Sequence, residues 1–343
     1  MENLTIAVLY GGKSTEHEVS VHSATDVCNE LKKKYKILPI FISKTGKWFL
    51  QRTCGFKTKT DIEITPLLSN AFIDKNGKKY KVDLFFPVLH GSFGEDGCIQ
   101  GLFEIIGAKY VGCGVLASAM AMNKELSKQI AMAANIPVLP WFALNKGDKL
   151  DKKDIYNRAK ELGYPIFVKP TSLGSSIGIS KVKNEKELLP AIKKAFNFEN
   201  HILIEQGLDN AREIFCGVLE VKQNTFKASA CGELIKSGSA FFDYETKYHN
   251  PHGCDMNIPS KLPKNLQEKM RKYSEIFFAA LGGKGLSRID FLVSQNGKKV
   301  YFSEINTIPG LSQTSLFPNL FKEYGLTYQK QLDILIDTAL NRN

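Results

Sequence analysis

The chain has 343 residues, enough for two or three domains, and its 43% hydrophobic and 24% charged residues are typical of a folded globular protein. Its apolar runs fall short of the roughly eighteen residues that span a membrane, and seven cysteines without a C-x-x-C pair indicate neither a disulfide framework nor a zinc ribbon. The formal charge of +11 comes from scattered lysines without an arginine-rich stripe, which argues against a nucleic-acid partner.

The first third of the chain alternates predicted strands with predicted helices. The apolar run 4–10 ends at Gly11-Gly12 and predicts a buried strand, and the periodicity of 18–34 predicts an amphipathic helix. Strands at 36–42, 82–89 and 110–111 and a helix at 97–106 complete this part. Such alternation is typical of a parallel sheet covered by helices, so we predict an α/β domain. Residues 46–81 have no pattern to which we assign a role.

The pattern in the remainder of the chain predicts two units that combine helices with antiparallel strands. We expect helices at 116–134, 152–162, 185–195, 263–281 and 319–340, and strands at 141–144, 165–169, 202–205, 285–293 and 299–306. A polar loop lies around 236–259, and Asn296-Gly297 is a typical hairpin turn. The pattern therefore indicates two α+β units after the α/β domain.

A lysine ends the predicted strand 165–169, and a loop rich in glycine and serine follows at 170–178. Such a loop offers backbone N–H groups and hydroxyls to phosphate oxygens, while Lys169 supplies a positive charge at the end of the strand. The sequence therefore predicts a loop that covers phosphate groups. A mobile hairpin with a surface lysine is the alternative.

Polar residues alternate along the two strands that flank the Asn296-Gly297 turn. Arg288 and Asp290 share one face of the first strand, and Glu304 and Asn306 share one face of the second. A hairpin can bring both pairs together, and their oxygen atoms suit Mg²⁺ bound to nucleotide phosphates. A solvated sheet face is the alternative.

Two further polar loops follow predicted strands of the first domain. Residues 16–18 follow the first strand, and residues 90–97, which begin with His90, follow the strand at 82–89. Open α/β sheets bind ligands at the carboxyl ends of their strands. Both loops are therefore candidates for substrate contact, although a tight turn before a helix explains His90 equally well.

These segments together resemble the ATP-grasp superfamily and, more narrowly, the D-alanine:D-alanine ligase family. The resemblance covers nearly the whole chain and depends on the joint order of residues 11–20, 90–97, 122–124, 169–178, 243–248, 288–290 and 304–316. It implies a Rossmann-like N-terminal domain with a parallel sheet, at 1–115, followed by an ATP-grasp fold of two α+β subdomains. These would span 116–205 and 206–343, the second with the metal site and a mobile loop at about 236–259.

The resemblance also implies roles for individual residues in nucleotide and metal binding. Lys124 and Lys169 would bind ATP phosphates, Glu205 and Leu208 would lie near adenine, Glu213 would bind the ribose, and Lys247 would reach the transferred phosphate. Asp290, Glu304 and Asn306 would hold two Mg²⁺ or Mn²⁺ ions.

A second set of residues is implied to act on the substrate, D-alanine. Glu16 would anchor the ammonium of the first D-alanine together with Ser175 and Tyr248, and His90 belongs to the substrate-binding residues. Arg288 and the Gly310 amide would stabilise the tetrahedral oxyanion, while Ser315 and Leu316 would receive the carboxylate of the second D-alanine.

The implied activity is the ATP-dependent joining of two D-alanine molecules through an acyl phosphate, with release of ADP and phosphate, for peptidoglycan synthesis. The odd number of cysteines without a C-x-x-C pair fits a reducing cytosol, and the short apolar runs and scattered lysines indicate no membrane or nucleic-acid partner. The resemblance also implies a homodimer. Gln206 stands where lysine is common in the family, and Phe242 replaces a tyrosine found in some members. Another ATP-grasp ligase that uses D-lactate or D-serine, and a non-catalytic nucleotide-binding module, remain the alternatives, although Tyr248 favours the dipeptide.

Overall fold

The computed structural model describes residues 4–149, 151–236 and 254–342, and these form three β-sheets. Helices pack on each sheet, and hydrophobic cores fill the space between them. None of the helices in these ranges is long and apolar enough to cross a bilayer. The predicted fold class, an α/β domain followed by an ATP-grasp fold of two α+β subdomains, is confirmed.

The first sheet has seven strands: β1 (Thr5–Gly11), β2 (Lys36–Ile42), β3 (Trp48–Leu50), β4 (Ile62–Leu67), β5 (Ala71–Asp74), β6 (Lys79–Lys81) and β7 (Leu84–Pro87). Their order is β6-β5-β4-β3-β2-β1-β7. β1 pairs in parallel with both β2 and β7, and helix α1 (His17–Leu31) connects β1 to β2. The carboxyl ends of β1 and β7 therefore meet at one edge, where the loops that follow them carry Glu16 and His90.

The region 46–81 forms the antiparallel strands β3 to β6. No role was predicted for this region from the sequence. These strands are short and largely half-exposed, so the apolar alternation that identifies a strand is weak in them. The first sheet is therefore mixed rather than wholly parallel. A disulfide also joins Cys28 of α1 to Cys54 after β3, a pair 26 residues apart that cysteine spacing did not indicate.

The second unit contains β8 (Trp141–Asn145), α5 (Lys152–Leu162), β9 (Ile166–Pro170), β10 (Ser180–Val182), α6 (Glu185–Ala195) and β11 (His201–Gln206). Its four strands form an antiparallel sheet in the order β10-β9-β11-β8. Val168 and Ile204 pack into a core with α5 and α6. Because side chains alternate along a strand, Phe167, Lys169 and Glu205 face the opposite side, which is open to the cleft described below.

The third sheet contains β12 (Arg212–Lys222), β13 (Thr225–Lys236), β14 (Cys254–Asn257), β15 (Leu286–Val293) and β16 (Val300–Asn306), and α7 (Lys264–Ala280) covers it. Its order is β14-β13-β12-β15-β16, with every neighbouring pair antiparallel. Ile289 and Phe302 pack against Phe277 and Phe278 of α7. The alternate residues of β15 and β16 face the cleft.

The remaining helices are α2 (Cys98–Ile105), α3 (Val115–Met122), α4 (Lys124–Ala133), α8 (Leu316–Glu323) and α9 (Tyr328–Leu340). The helix predicted at 116–134 is divided into α3 and α4, and the helix predicted at 319–340 is divided into α8 and α9. Asn123 adopts an extended conformation between α3 and α4, where its side chain accepts hydrogen bonds from the N–H groups of Glu125 and Leu126. That cap starts a new helix and sets Lys124 at its first turn. Gly325, at φ +94°, separates α8 from α9.

Candidate active site

A cleft of about 1120 Å³ lies between the loops of the first sheet and the open faces of the second and third sheets. This volume lies at the upper end of the range for small-molecule sites, roughly 300 to 1,000 Å³. The cleft is lined by every predicted site residue that the structure describes: Glu16, His90, Lys124, Lys169, Ser175, Glu205, Leu208, Glu213, Arg288, Asp290, Glu304, Asn306, Gly310, Ser315 and Leu316. Lys247, Tyr248 and Phe242, with most of the predicted loop 236–259, lie outside the described residues.

Glu205 is buried on the second sheet between two lysines. Its Oε1 pairs with the ammonium of Lys128 in α4, and its Oε2 pairs with the ammonium of Lys169 in β9. Burial raises the pKa of the Glu205 carboxyl, but the two ammonium groups outweigh burial and bring the pKa to about 2. Glu205 is therefore a carboxylate at every physiological pH.

Lys124 connects α4 to the glycine- and serine-rich loop. Its backbone N–H donates to the Thr171 carbonyl at 2.8 Å, and its Nζ donates to the Leu173 carbonyl at 2.6 Å. Glu199 holds the same segment, because its carboxylate accepts from the Ser172 N–H at 2.8 Å and from the Thr171 hydroxyl at 3.1 Å. Burial lowers the pKa of Lys124. The base of the loop is thus fixed to α4 and the second sheet.

The loop itself adopts backbone angles that few residues tolerate. Ser175 and Ser176 have φ of +53° and +59°, and Gly178 has φ of +72°. The hydroxyl of Ser175 is buried without a hydrogen-bond partner among the described residues. A buried hydroxyl of this kind indicates a polar ligand or a partner from another segment.

The hairpin of β15 and β16 brings its two polar pairs together as predicted. Arg288 lies opposite Asn306, and Asp290 lies opposite Glu304. Arg288 also forms a two-pronged ion pair with Asp290, in which Nε and Nη2 donate to the two carboxylate oxygens at 2.7 Å each. Asn306 donates from Nδ2 to Oδ2 of Asp290 at 3.3 Å. The predicted alternation and the predicted meeting of the two polar pairs are therefore confirmed.

The oxygen atoms on this hairpin suit a divalent cation that also binds phosphate oxygens. Two carboxylates and one amide oxygen, from Asp290, Glu304 and Asn306, line the cleft wall, and hard oxygen ligands suit Mg²⁺ and Mn²⁺. Within residues 4–149, 151–236 and 254–342, no three His, Cys, Asp or Glu side chains form a metal-binding group. Mg²⁺ prefers six oxygen ligands, so a cation held by these three side chains would take further ones, which nucleotide phosphates can supply.

Glu95 and His90 fasten the first domain to the segment before Gly310. Glu95 accepts from the N–H groups of Gly91 and Ile308 at 2.8 Å each. His90 contacts the Ile308 carbonyl through Nδ1 at 2.8 Å and the Ser23 hydroxyl through Nε2 at 3.1 Å. Because a carbonyl only accepts, Nδ1 carries the proton. Burial lowers the pKa of His90, which keeps the ring neutral.

The far end of the cleft is formed by the first turn of α8. Ser315 precedes this helix, and its Oγ accepts from the Ser312 N–H at 3.2 Å. A Cβ at Gly310 would lie 2.9 Å from that Oγ, so a side chain at position 310 would press on Ser315. The start of a helix presents free backbone N–H groups, which favour a carboxylate.

Three residues that the sequence did not single out hold the site together: Lys128, Glu95 and Ser23. Lys128 lies four residues after Lys124, so helical spacing places both lysines on one face of α4. That spacing was the available signal for Lys128. Glu95 and Ser23 act on residues more than 200 positions away, and local patterns contain no signal for such contacts.

Known protein families and individual proteins match nearly the full chain. A family model described as D-ala D-ala ligase N-terminus matches residues 5–113, and one described as D-ala D-ala ligase C-terminus matches residues 130–337. The D-alanine–D-alanine ligase of Caldicellulosiruptor bescii is 39% identical over 359 aligned positions, which cover 100% of this chain and 97% of that protein. The enzyme of the same name from Thermoanaerobacter sp. (strain X514) is 42% identical, over 99% of this chain and 97% of the relative.

Solved structures agree with these matches. The VanG D-Ala:D-Ser ligase from Enterococcus faecalis superimposes with a TM-score of 0.87 at 32% identity, covering 98% of this chain and 99% of the other. The D-alanine-D-alanine ligase from Coxiella burnetii gives a TM-score of 0.87 at 33% identity, covering 100% of this chain and 95% of the other.

Proposed function

The chain belongs to the D-alanine–D-alanine ligase family, and we propose that its cleft joins two D-alanine molecules with the use of one ATP. The products are D-alanyl-D-alanine, ADP and phosphate, and the dipeptide serves peptidoglycan synthesis. One observation carries the proposal: two lysines, Lys124 and Lys169, and the oxygen donors of the third-sheet hairpin line the same cleft. An anionic nucleotide with its cation fits between such walls.

Nucleotide binding is assigned to the wall formed by α4 and the second sheet. Lys124 and Lys169 supply positive charge for the phosphates, and the loop 170–178 lies beside both. Glu205 and Leu208 lie at the end of β11 and beyond it, where we place adenine, and Glu213 in β12 is assigned to the ribose.

Cation binding is assigned to Asp290, Glu304 and Asn306, which would hold two Mg²⁺ or Mn²⁺ ions. When bound, the cations supply charge that neutralises the nucleotide phosphates. Arg288 keeps the carboxylate of Asp290 oriented through its two hydrogen bonds, and its guanidinium remains charged for the reaction centre.

Substrate binding is assigned to the loops of the first sheet and to the start of α8. Glu16 offers a carboxylate to the ammonium of the first D-alanine, and Ser175 lines the same part of the cleft, with Tyr248 as their predicted third partner. Ser315 and Leu316 are assigned to the carboxylate of the second D-alanine, at the helix start. His90 supports this site indirectly, since both of its ring nitrogens bind other parts of the protein.

The chemistry proceeds in two steps that need no protein nucleophile. A carboxylate oxygen of the first D-alanine attacks the γ-phosphorus of ATP, the bond to ADP breaks, and an acyl phosphate forms. The amine of the second D-alanine then attacks the acyl carbon, loses a proton, and phosphate leaves as the peptide bond forms. Arg288 and the Gly310 amide are assigned to the negative oxygen of the tetrahedral intermediate.

A D-alanine–D-serine ligase is the second candidate, because the VanG enzyme has the same fold at a TM-score of 0.87. Mass spectrometry of products from mixtures of D-alanine, D-serine and D-lactate separates the two functions. We expect the D-alanine dipeptide to dominate at neutral pH. A predominance of the D-serine product would favour the second candidate.

The assembly is inferred from the family resemblance and the location from the cysteine pattern. We propose a homodimer in the cytoplasm, where ATP is available. Sedimentation equilibrium tests the first point, and a mass equal to one chain at micromolar concentration would contradict it.

The direct test of the activity is phosphate release by the purified protein with Mg²⁺. Release should require ATP and D-alanine together, and omission of either should abolish it. Release that is independent of D-alanine would contradict the proposal.

A further inference from the structure

Lys128 is almost fully buried but does not line the cleft. Its side chain is 1% exposed, and its ammonium lies against Oε1 of Glu205, whose own side chain is 3% exposed. The ring of Trp141 lies 5.8 Å from the same ammonium. A buried ammonium is costly unless it is paired, so this lysine needs Glu205.

Glu205 is shared between two cations. Its second oxygen binds Lys169, the lysine that faces the cleft at the end of β9. With both lysines protonated, the three side chains together carry one net positive charge. If Lys128 were neutral, the charges of Glu205 and Lys169 would cancel, and Lys169 would offer little net charge to a phosphate beside that of Lys124.

The orientation of the Glu205 carboxylate also depends on Lys128. Each of its two oxygens has one lysine partner, so the carboxylate is held from both sides. Removal of Lys128 would free Oε1 and let the carboxylate turn toward Lys169. Both effects would weaken the nucleotide site without a direct contact between Lys128 and nucleotide.

We propose that Lys128 is a positioning residue of the nucleotide site, which neutralises Glu205 so that the charge of Lys169 is available to the phosphates. This inference rests on the proposed function, because it requires that nucleotide binds beside Lys169. A purely structural role, in which the buried pair only holds α4 on the second sheet, is the competing explanation. That role would change the free energy of unfolding but not the relative affinities for nucleotide and D-alanine.

The experiment compares Lys128→Met, Lys128→Arg and a control, Lys284→Met. Lys284 pairs with the buried carboxylate of Glu220 at 3.4 Å and lies outside the cleft lining, so its loss breaks a similar pair away from the nucleotide. Dissociation constants for MgADP and for adenosine are measured by calorimetry, and KM values for ATP and D-alanine are measured separately.

We expect Lys128→Met to weaken MgADP binding about tenfold, equivalent to about 1.4 kcal/mol, and to raise the KM for ATP similarly. Adenosine affinity should fall less than MgADP affinity, because adenosine lacks the phosphates, and the KM for D-alanine should change less than twofold. Lys128→Arg, which keeps the charge, should bind MgADP within about threefold of the wild type, and Lys284→Met should bind it normally.

Wild-type MgADP affinity in Lys128→Met would overturn the proposal. If that variant does not fold, Lys128→Arg decides: a loss of at least tenfold with the charge retained would also overturn it, and retained affinity would support it. Failure of the proposed function gives a different result, because the wild-type protein itself would then bind no MgADP.

Discussion

Glu95, in the loop after β7, accepts a hydrogen bond from the backbone N–H of Ile308 at 2.8 Å, across 213 positions of sequence. The bond joins the first domain to the segment that carries Gly310, two residues later. This contact helps to position Gly310, whose amide we propose as an oxyanion donor, relative to the loops that follow β1 and β7. The arrangement of the site therefore depends on contacts between domains as well as on the residues that line the cleft.

The first prediction concerns the pH dependence of stability through Glu95. Burial, with a contribution from the charge of Glu16, raises the pKa of Glu95 to about 8. Folding therefore favours the protonated form, so its stabilising contribution is complete below about pH 4.5 and is lost as the pH rises through 8. We expect the stability of the wild type relative to Glu95→Gln to fall by roughly 1 to 3 kcal/mol between pH 5 and pH 8. Urea denaturation at both pH values measures the difference, and identical changes in the two proteins would refute the assignment.

The second prediction concerns Gly91, which lies against Glu16. A Cβ at position 91 would lie 2.6 Å from Oε2 of Glu16, and the residue has φ +71°. Gly91→Ala should therefore displace the Glu16 carboxylate and raise the KM for D-alanine about tenfold or more. Gly77→Ala is the control, because Gly77 has a similar φ of +82° but a Cβ there would meet nothing within 4 Å beyond its chain neighbours. Equal KM values for D-alanine in the two variants would contradict the prediction, because backbone strain alone would then explain the change.

The third prediction concerns the oxyanion. Arg288→Ala should lower kcat by roughly a hundredfold, since a lost oxyanion donor costs about 3 kcal/mol. Lys at this position keeps the charge but cannot reproduce the two-pronged bond to Asp290, so Arg288→Lys should recover only part of the rate. Steady-state kinetics at saturating substrates provide the measurement. A wild-type kcat in Arg288→Ala would exclude the assigned role.

The fourth prediction concerns the cation. Glu304→Gln keeps the shape of the side chain but removes one negative charge, and it should raise the Mg²⁺ concentration for half-maximal activity by at least about tenfold. Lys298→Ala, in the exposed turn of the same hairpin, is the control and should need no more Mg²⁺ than the wild type. An unchanged Mg²⁺ requirement in Glu304→Gln would remove Glu304 from the cation site.

Contacts between residues close in sequence were predictable from local patterns, and contacts between distant residues were not. Period-two alternation and a typical turn were enough to predict that the hairpin brings the two polar pairs together, because a hairpin is a local structure. The pairing of Asp290 with Glu304 was not predicted, since it depends on a register shift next to Asp290. The division of the helix predicted at 116–134 was missed, because Asn123 has the polarity of an ordinary exposed helix residue and only its backbone conformation reveals the cap. Glu95 was missed because its partner lies in another domain.

The acyl phosphate route determines the fate of a single oxygen atom. If the D-alanine carboxylate attacks the γ-phosphate, one carboxylate oxygen must leave in the phosphate that is released. Turnover of D-alanine labelled with ¹⁸O in its carboxylate should therefore give inorganic phosphate with one ¹⁸O per dipeptide formed, as seen by mass spectrometry. Unlabelled phosphate accompanying labelled dipeptide would contradict the acyl phosphate route.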